Sequence, residues 1–334
     1  MKFLIAGLGS IGRRHLHNLL ALGERDIILY RNRPVALPED ELDEFPTETS
    51  LDAALEHHPD AAIISNPTSL HLDVAIPAAQ SGCHLLLEKP ISHSIERIKD
   101  LQLAARRGGG QILVGFQFRF HPTLQIASRL LAEGAVGRPV SVRSHWGEYL
   151  PNWHPGEDYR QGYAARADLG GGVLLTLCHP LDYLSWLFGK PQLSWAYAGT
   201  MGDLEIPVDD IAEIGLRFPN GAIGSVHLDY IQQPATHHIE IIGTQGTLRW
   251  DNADGSLALY RHNHADWEHF MPSEGFERNR LFMDEMRHFI AVAHSEALPI
   301  CTLDDGIHAL KIATQALAFQ ARHAEDAPPS TATG

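Results

Sequence analysis

The sequence predicts an α/β protein: a doubly wound parallel sheet over residues 1–120, then an α/β region over 121–322 built on a large, mostly antiparallel open sheet. Three observations predict it. Five short apolar runs alternate with helical patterns in the first 120 residues, about seven strand-like runs follow one another in the second part, and a glycine-rich turn closes the first apolar run. A chain of 334 residues with 44% apolar content buries a sizeable core and is longer than a single core usually spans.

The five runs of the first part are KFLIAG, DIILYR, AAIISN, HLLLEK and QILVGF, with helices expected near 11–22, 50–57, 70–81 and 94–107. Near-continuous apolar strands joined by helices are what a parallel sheet covered on both faces requires. After a helix at 122–133 the pattern changes. PVSVRSHWGEY, LSWAYAGT, DIAEIGLRF, GAIGSVHLDYI, HHIEIIG, GTLRWD and SLALYR alternate or carry β-branched and aromatic residues, with turns such as Pro219-Asn220-Gly221 between them. Helices at about 276–295 and 304–321 follow, and the tail 323–334 reads as disordered.

Composition limits the function classes. The net charge of -15, with no long basic run, argues against nucleic acid or an anionic membrane as the main partner. Cys83, Cys178 and Cys301 form an odd set without a C-x-x-C pair, which fits a reducing, cytoplasmic setting. The start MKFLIAGLGSIG breaks into glycines where a signal peptide would continue its apolar region, and no stretch of about 18 residues is free of polar interruption.

Gly7-Leu8-Gly9-Ser10-Ile11-Gly12 is a G-x-G-x-x-G motif between a predicted strand and a predicted helix. In that context Gly7 makes the tight turn, Gly9 admits a pyrophosphate, and Gly12 lets helix and strand close up. Ser10 and Ile11 open the helix whose N-terminus faces the phosphates. An NAD(P)-binding domain of the Rossmann type is therefore expected. The second strand ends without the acid that would bind ribose hydroxyls. It carries Arg31 and Arg33 instead, and residues 1–33 hold six basic against two acidic side chains. Either these arginines hold a 2′-phosphate, favouring NADP over NAD, or they face water.

Several segments together carry a family resemblance: Gly7 to Gly12, Asn66-Pro67-Thr68-Ser69-Leu70-His71, Glu88-Lys89-Pro90, Gly115 to Pro122 with Arg119, and the glycine-led segment with His179 and Asp182. In these the chain resembles the Gfo/Idh/MocA oxidoreductases along nearly its whole length. The resemblance implies a nicotinamide cofactor bound by the glycine motif, Asn66, Pro67, His71, Glu88 and Lys89, and a sugar, polyol or sugar-nucleotide substrate. It further implies an open C-terminal sheet that often serves oligomerisation, here as a homodimer or homotetramer.

Lys89 lies just past the carboxyl end of its strand, where ligands bind in an open α/β sheet. There an ammonium group can stabilise the alkoxide that develops as a secondary alcohol is oxidised. In GGGVLLTLCHPLDYLSWLFG, residues 170–189, a helix over 173–188 would group Thr176, His179, Asp182 and Tyr183 on one side and leucines on the other. His179 is then either the proton acceptor, with an ordinary pKa of about 6.5 suited to the task, or a satisfied core histidine. Relatives often carry aspartate where Thr176 stands, and Pro180 favours His179 as a helix-start residue. No metal site is expected, since Cys178 and His179 are neighbours on different sides of the helix and no second cluster has ligand spacing.

Arg119 and the aromatic segment 153–163, with Trp153 and Tyr163, complete the substrate candidates. That segment is either a sugar-binding loop or a loop packed by its own aromatics. Transfer of hydride between NAD(P) and a secondary hydroxyl or ketone is the expected activity. The alternatives are a glycosidase that uses transient oxidation by NAD and a non-catalytic sugar-sensing regulator.

Overall fold

The computed structural model describes residues 1–31 and 42–323. Arg33, and the tail expected to be disordered from residue 324 on, lie outside the described residues. The chain divides into two compact units. The first holds Met1–Ile126, Asp168–Gly171 and Pro272–Leu310, and the second Ala127–Ala167, Gly172–Met271 and the chain from Lys311.

In the first unit, β1 (Phe3–Ala6), β2 (Ile27–Tyr30), β3 (Thr47–Glu48), β4 (Ala61–Ile64), β5 (His84–Glu88) and β6 (Ile112–Gly115) form one parallel sheet in the order β3-β2-β1-β4-β5-β6. The apolar runs are strands because both of their faces are covered. Phe3, Leu4, Ile5, Ile63, Ile64, Leu86 and Leu87 are all fully buried. α1 (Ser10–Ala21), α2 (Leu51–Glu56), α3 (His71–Gln80) and α4 (Ile98–Gly108) follow β1, β3, β4 and β5. The two-residue β3, too short to show a periodicity, is an edge strand not read from the sequence.

The second unit carries an eight-stranded sheet. Its strands are β7 (Pro139–Gly147), β8 (Gln192–Gly199), β9 (Ile211–Arg217), β10 (Ile223–Asp229), β11 (Thr236–Gly243), β12 (Gly246–Asp251), β13 (Leu257–Arg261) and β14 (Glu268–Phe270), in the order β14-β13-β12-β11-β7-β10-β9-β8. All neighbours are antiparallel except β7 and β10. The short β14 makes the strand count eight rather than about seven. β10 and β11 are consecutive in the chain, yet β7 lies between them.

Helix α5 (Pro122–Ala132) matches the pattern at 122–133. The segment expected to be one helix over 173–188 is two: α6 (Val173–Thr176) and α7 (His179–Phe188). Pro180 has no N–H to give to the Thr176 carbonyl. The chain tightens there, with Leu181 N–H bonding the Cys178 carbonyl at 3.0 Å, and restarts with Pro in the first turn.

Late in the chain come α8 (Asn279–Ala293) and α9 (Leu303–His323). α8 packs within the first unit, where Phe282 meets His15 edge-on at 6.3 Å and lies under the Arg14 guanidinium at 4.6 Å. Among the described residues no helix is long and apolar enough to cross a membrane.

Candidate functional site

The glycine motif is built by steric necessity. Gly7 has φ +92°, and a Cβ there would lie 2.4 Å from the Asn66 nitrogen. A Cβ on Gly12 would lie 1.9 Å from the Gly7 carbonyl oxygen, whereas one on Gly9 would meet nothing within 4 Å. The first and third glycines thus serve the fold, and the second leaves open space at the N-terminus of α1, where a diphosphate fits. Ser65 Oγ fixes the loop from below, donating to the carbonyls of Ala6 (3.0 Å) and Gly7 (2.9 Å). Ser10 is exposed and Ile11 half-buried at the helix start. Arg31 directly follows β2, its N–H bonded to Glu48 O at 3.0 Å.

Gly7, Asn66 and Lys89 leave the carboxyl ends of β1, β4 and β5, which are neighbours in the parallel sheet. Asn66 Nδ2 donates to the Leu70 carbonyl at 2.9 Å, which folds the Asn66-Pro67 turn. His71 is buried with ring nitrogens 2.9 Å from the carbonyls of Pro90 and Asn66. Burial pushes its pKa down to about 4, so a neutral ring donates to one of the two and ties both loops together.

Glu88 is buried and accepts from His15 Nε2 at 2.8 Å. Burial alone would raise its carboxyl, but the hydrogen bond and charge of His15, with the charge of Lys89, hold it below the usual range. Glu285, 0% exposed, is pushed well above the usual range by burial and by the charge on Glu88. The two neighbouring carboxyls are thus pushed in opposite directions, and Glu88 also accepts the Lys89 backbone N–H at 3.2 Å. The Arg119 guanidinium is buried and donates to the Ile300 carbonyl at 2.5 Å and to Asp305 at 3.4 Å.

In the second unit, Thr176, His179, Asp182 and Tyr183 are all buried. His179 stacks on Trp146 (5.5 Å between ring centroids), and Trp146 stacks in turn on His237 (4.1 Å). The Tyr183 hydroxyl lies 2.5 Å from Ser144 Oγ and 3.2 Å from His237 Nε2, so α7 is seated on the inner face of β7 and β11.

Tyr230, which the sequence reading missed, gathers other candidates. It hydrogen-bonds Thr176 and feels Tyr163 and Asp209, and Trp153 meets its ring edge-on at 5.5 Å. Burial holds its hydroxyl protonated far above neutrality. A tyrosine at the end of an apolar strand reads as core, so no sequence signal marked it.

Asp209 was also missed. It receives the Leu174 N–H at 2.8 Å, and a Cβ on Gly172 would lie 2.2 Å from its Oδ1. Burial pushes its pKa up to about 6 from 3.8. A raised folded-state pKa gives stability that is present below pH 3.8 and lost as pH rises through 6, a difference of about 3 kcal/mol. Asp209→Asn keeps an acceptor and removes the charge. Its melting temperature is expected to exceed the parent's at pH 8 and to converge with it toward pH 4; a gap independent of pH in thermal melts would contradict this.

Lys89 belongs to the first unit and His179 to the second. Two groups of side chains among the described residues have donor atoms within 4.8 Å of one another, close enough to hold a metal ion: His145, His227 and Asp229, and His15, Glu88 and Glu285. Neither includes Cys178 or His179. The first joins β7 to two residues of β10, and the second joins α1, β5 and α8; pairing across elements cannot be read from spacing along the chain.

Comparison with known proteins bears on the whole arrangement. Residues 1–116 match the model of an oxidoreductase family with an NAD-binding Rossmann fold, and residues 124–249 that of the GFO/IDH/MocA C-terminal domain. An uncharacterised oxidoreductase of Synechocystis sp. is 31% identical over 201 residues, 56% of this chain and 53% of its own length. The 1,5-anhydro-D-fructose reductase of Ensifer adhaerens is 27% identical over 259 residues, 75% of this chain and 74% of its own. A levoglucosan dehydrogenase solved with NADH and levoglucosan superimposes with a TM-score of 0.86 at 20% identity, covering 96% of this chain and 97% of that one. The two family models span most of the chain, the first of them across the strand and the glycine loop, and the protein belongs to the Gfo/Idh/MocA family of oxidoreductases.

Proposed function

We propose that the protein is an NADP-preferring dehydrogenase or reductase acting on a secondary hydroxyl or ketone of a carbohydrate-like substrate. The observation that carries this is the exit of Gly7, Asn66 and Lys89 from the carboxyl ends of three adjacent parallel strands, the edge at which such sheets bind ligands. The glycine loop, Asn66-Pro67 and Arg31 would hold the dinucleotide. When bound, its nicotinamide accepts or gives up a hydride.

The chain's own residues handle the proton and the charge. His179 takes the hydroxyl proton, and Lys89 steadies the oxygen that loses it. Trp153, Tyr163, Thr176, Asp182 and Arg119 are assigned to substrate binding or to shaping its site. His71 and Glu88 serve the cofactor from beneath, His71 by tying the loops and Glu88 by holding Lys89. Relatives named for 1,5-anhydro-D-fructose and levoglucosan support the substrate class, and three buried cysteines, none of them in a disulfide, fit a cytoplasmic setting.

The test is reduction of NADP⁺ and NAD⁺ over a panel of sugars, polyols and sugar nucleotides. Turnover with at least one, and tighter binding of NADP than NAD, is expected; no turnover with either cofactor overturns the reading. In the same assay Arg31→Ala should weaken NADP binding by about 10- to 100-fold, the worth of one charged hydrogen bond of about 1.5–3 kcal/mol. NAD binding should be unchanged.

We also propose assembly into a homodimer or homotetramer. The sheet face turned away from α7 exposes Trp195 (46%), Ile223 (57%) and Ile242 (36%), a surface suited to association. Light scattering should return at least twice the 36.9 kDa chain mass; a monomer at micromolar concentration would refute it.

A further inference from the structure

The outer face of the second sheet carries a row of side chains in register. Glu213, His227, His145, His238 and Asp251 stand opposite one another on β9, β10, β7, β11 and β12. Ser144 and Trp146 point toward α7, so His145 points away from it. The His145 ring lies between His227, at 4.4 Å and 28°, and His238, at 5.3 Å and 13°. Two residues along β10 from His227, Asp229 faces the same side, opposite Gly147. One donor atom from each of His145, His227 and Asp229 lies within 4.8 Å of the others.

Each donor is oriented by a neighbour. His227 Nδ1 lies 2.6 Å from Glu213 Oε1, which leaves Nε2 turned to Asp229 Oδ2 at 3.0 Å. Asp229 Oδ1 accepts the N–H groups of Ile231 (2.8 Å) and Gln232 (2.6 Å), which leaves Oδ2 for His227. His145 Nε2 is held at 2.5 Å by Gln232 Oε1. A carboxylate behind a histidine, fixing its tautomer, is the arrangement that supports metal-ligating imidazoles. Gly147 provides the room: a Cβ there would fall 2.2 Å from Asp229 Oδ2 and 2.3 Å from Gln232 Oε1.

We infer that His145, His227 and Asp229 form a binding site for a divalent transition-metal ion of the zinc class on the outer face of the sheet. Two imidazoles and one carboxylate select such an ion over magnesium or calcium, whose sites are built from oxygens. Three protein ligands leave a fourth position for water. Bonds of about 2.0–2.2 Å require the rings to turn inward, which their half-buried positions permit.

The experiment uses the full, untagged chain, freed of metal by dialysis against a chelator. It is titrated calorimetrically with zinc chloride, and separately with cobalt chloride while visible ligand-field absorption is recorded. One ion per chain at micromolar affinity or tighter is expected, with cobalt bands displaced by zinc. His145→Ala and His227→Ala should each weaken binding at least 100-fold. Glu213→Gln, which removes only the orienting carboxylate, should weaken it about 10- to 100-fold. His238→Ala, in the same row but outside the donor set, should bind as the parent does. Circular dichroism identifies folded variants, and His145→Gln and His227→Gln replace any alanine variant that fails to fold. Absence of stoichiometric uptake by the parent, or uptake unchanged in both histidine variants, overturns the assignment.

Discussion

Replacing Lys89 by Ala or His179 by Asn is expected to reduce turnover by about 10²- to 10⁴-fold, the usual worth of a positioned proton-transfer or charge-stabilising group, and to leave dinucleotide affinity nearly unchanged. The two substitutions differ in their second readout. Lys89 is half-buried at a strand end, so its loss should leave the melting temperature close to the parent's. His179 is buried against Trp146, so His179→Asn also removes packing. Its diagnostic is the pH profile: a proton acceptor takes the titration near neutrality with it, whereas a structural histidine lowers stability and leaves the profile of the surviving enzyme intact. Stopped-flow turnover over pH 5–9, with thermal melts alongside, checks both. Turnover near the parent's in both variants would mean that the chemistry lies elsewhere.

The glycine loop offers the second large effect, as a contrast between neighbours. Gly12→Ala places a methyl group 1.9 Å from the Gly7 oxygen, an overpacking that costs about 1–3 kcal/mol and lowers the melting temperature by about 2–12 °C. Gly9→Ala places its methyl in open space, so the free protein should melt as the parent does. That space is where backbone amides approach the diphosphate. Each charged hydrogen bond lost there weakens binding by about 10- to 100-fold. NADPH and NADH fluorescence titrations beside thermal melts separate the two cases. A Gly9→Ala protein that binds dinucleotide like the parent would show that this loop does not cradle a phosphate.

These residues also show where sequence reading succeeds and stops. The runs around Leu4, Ile63 and Leu86 were legible because strands buried on both faces need little but apolar side chains, and the Gly7–Gly12 loop was legible because its constraint is local. The helix over 173–188 was misjudged because periodicity averages across Pro180, although the proline itself announced the restart at His179. With the break, Thr176 and His179 no longer share a helical face, and Thr176 turns out to serve Tyr230. Tyr230, Asp209 and the His145–His227 pair were invisible for a different reason. Their meaning comes from strands that are neighbours in space and distant in sequence, and strand order cannot be read from composition or period.

Strand order within the second sheet sets how that sheet must be assembled. β8, β9 and β10 are one run of antiparallel neighbours, and β11 to β14 are another. Each can zip locally through its own turns, at the low entropic cost of closing short loops. They cannot zip to each other, because β7 separates them and is made well before either. The first strand of the sheet to leave the ribosome is therefore the template onto which both later ribbons dock, one parallel and one antiparallel. Such long-range pairing is the slow part of β-sheet formation. A nascent chain halted after β10 exposes the bare edge of β7 that β11 will cover, and at that moment this unit is most open to wrong strand partners.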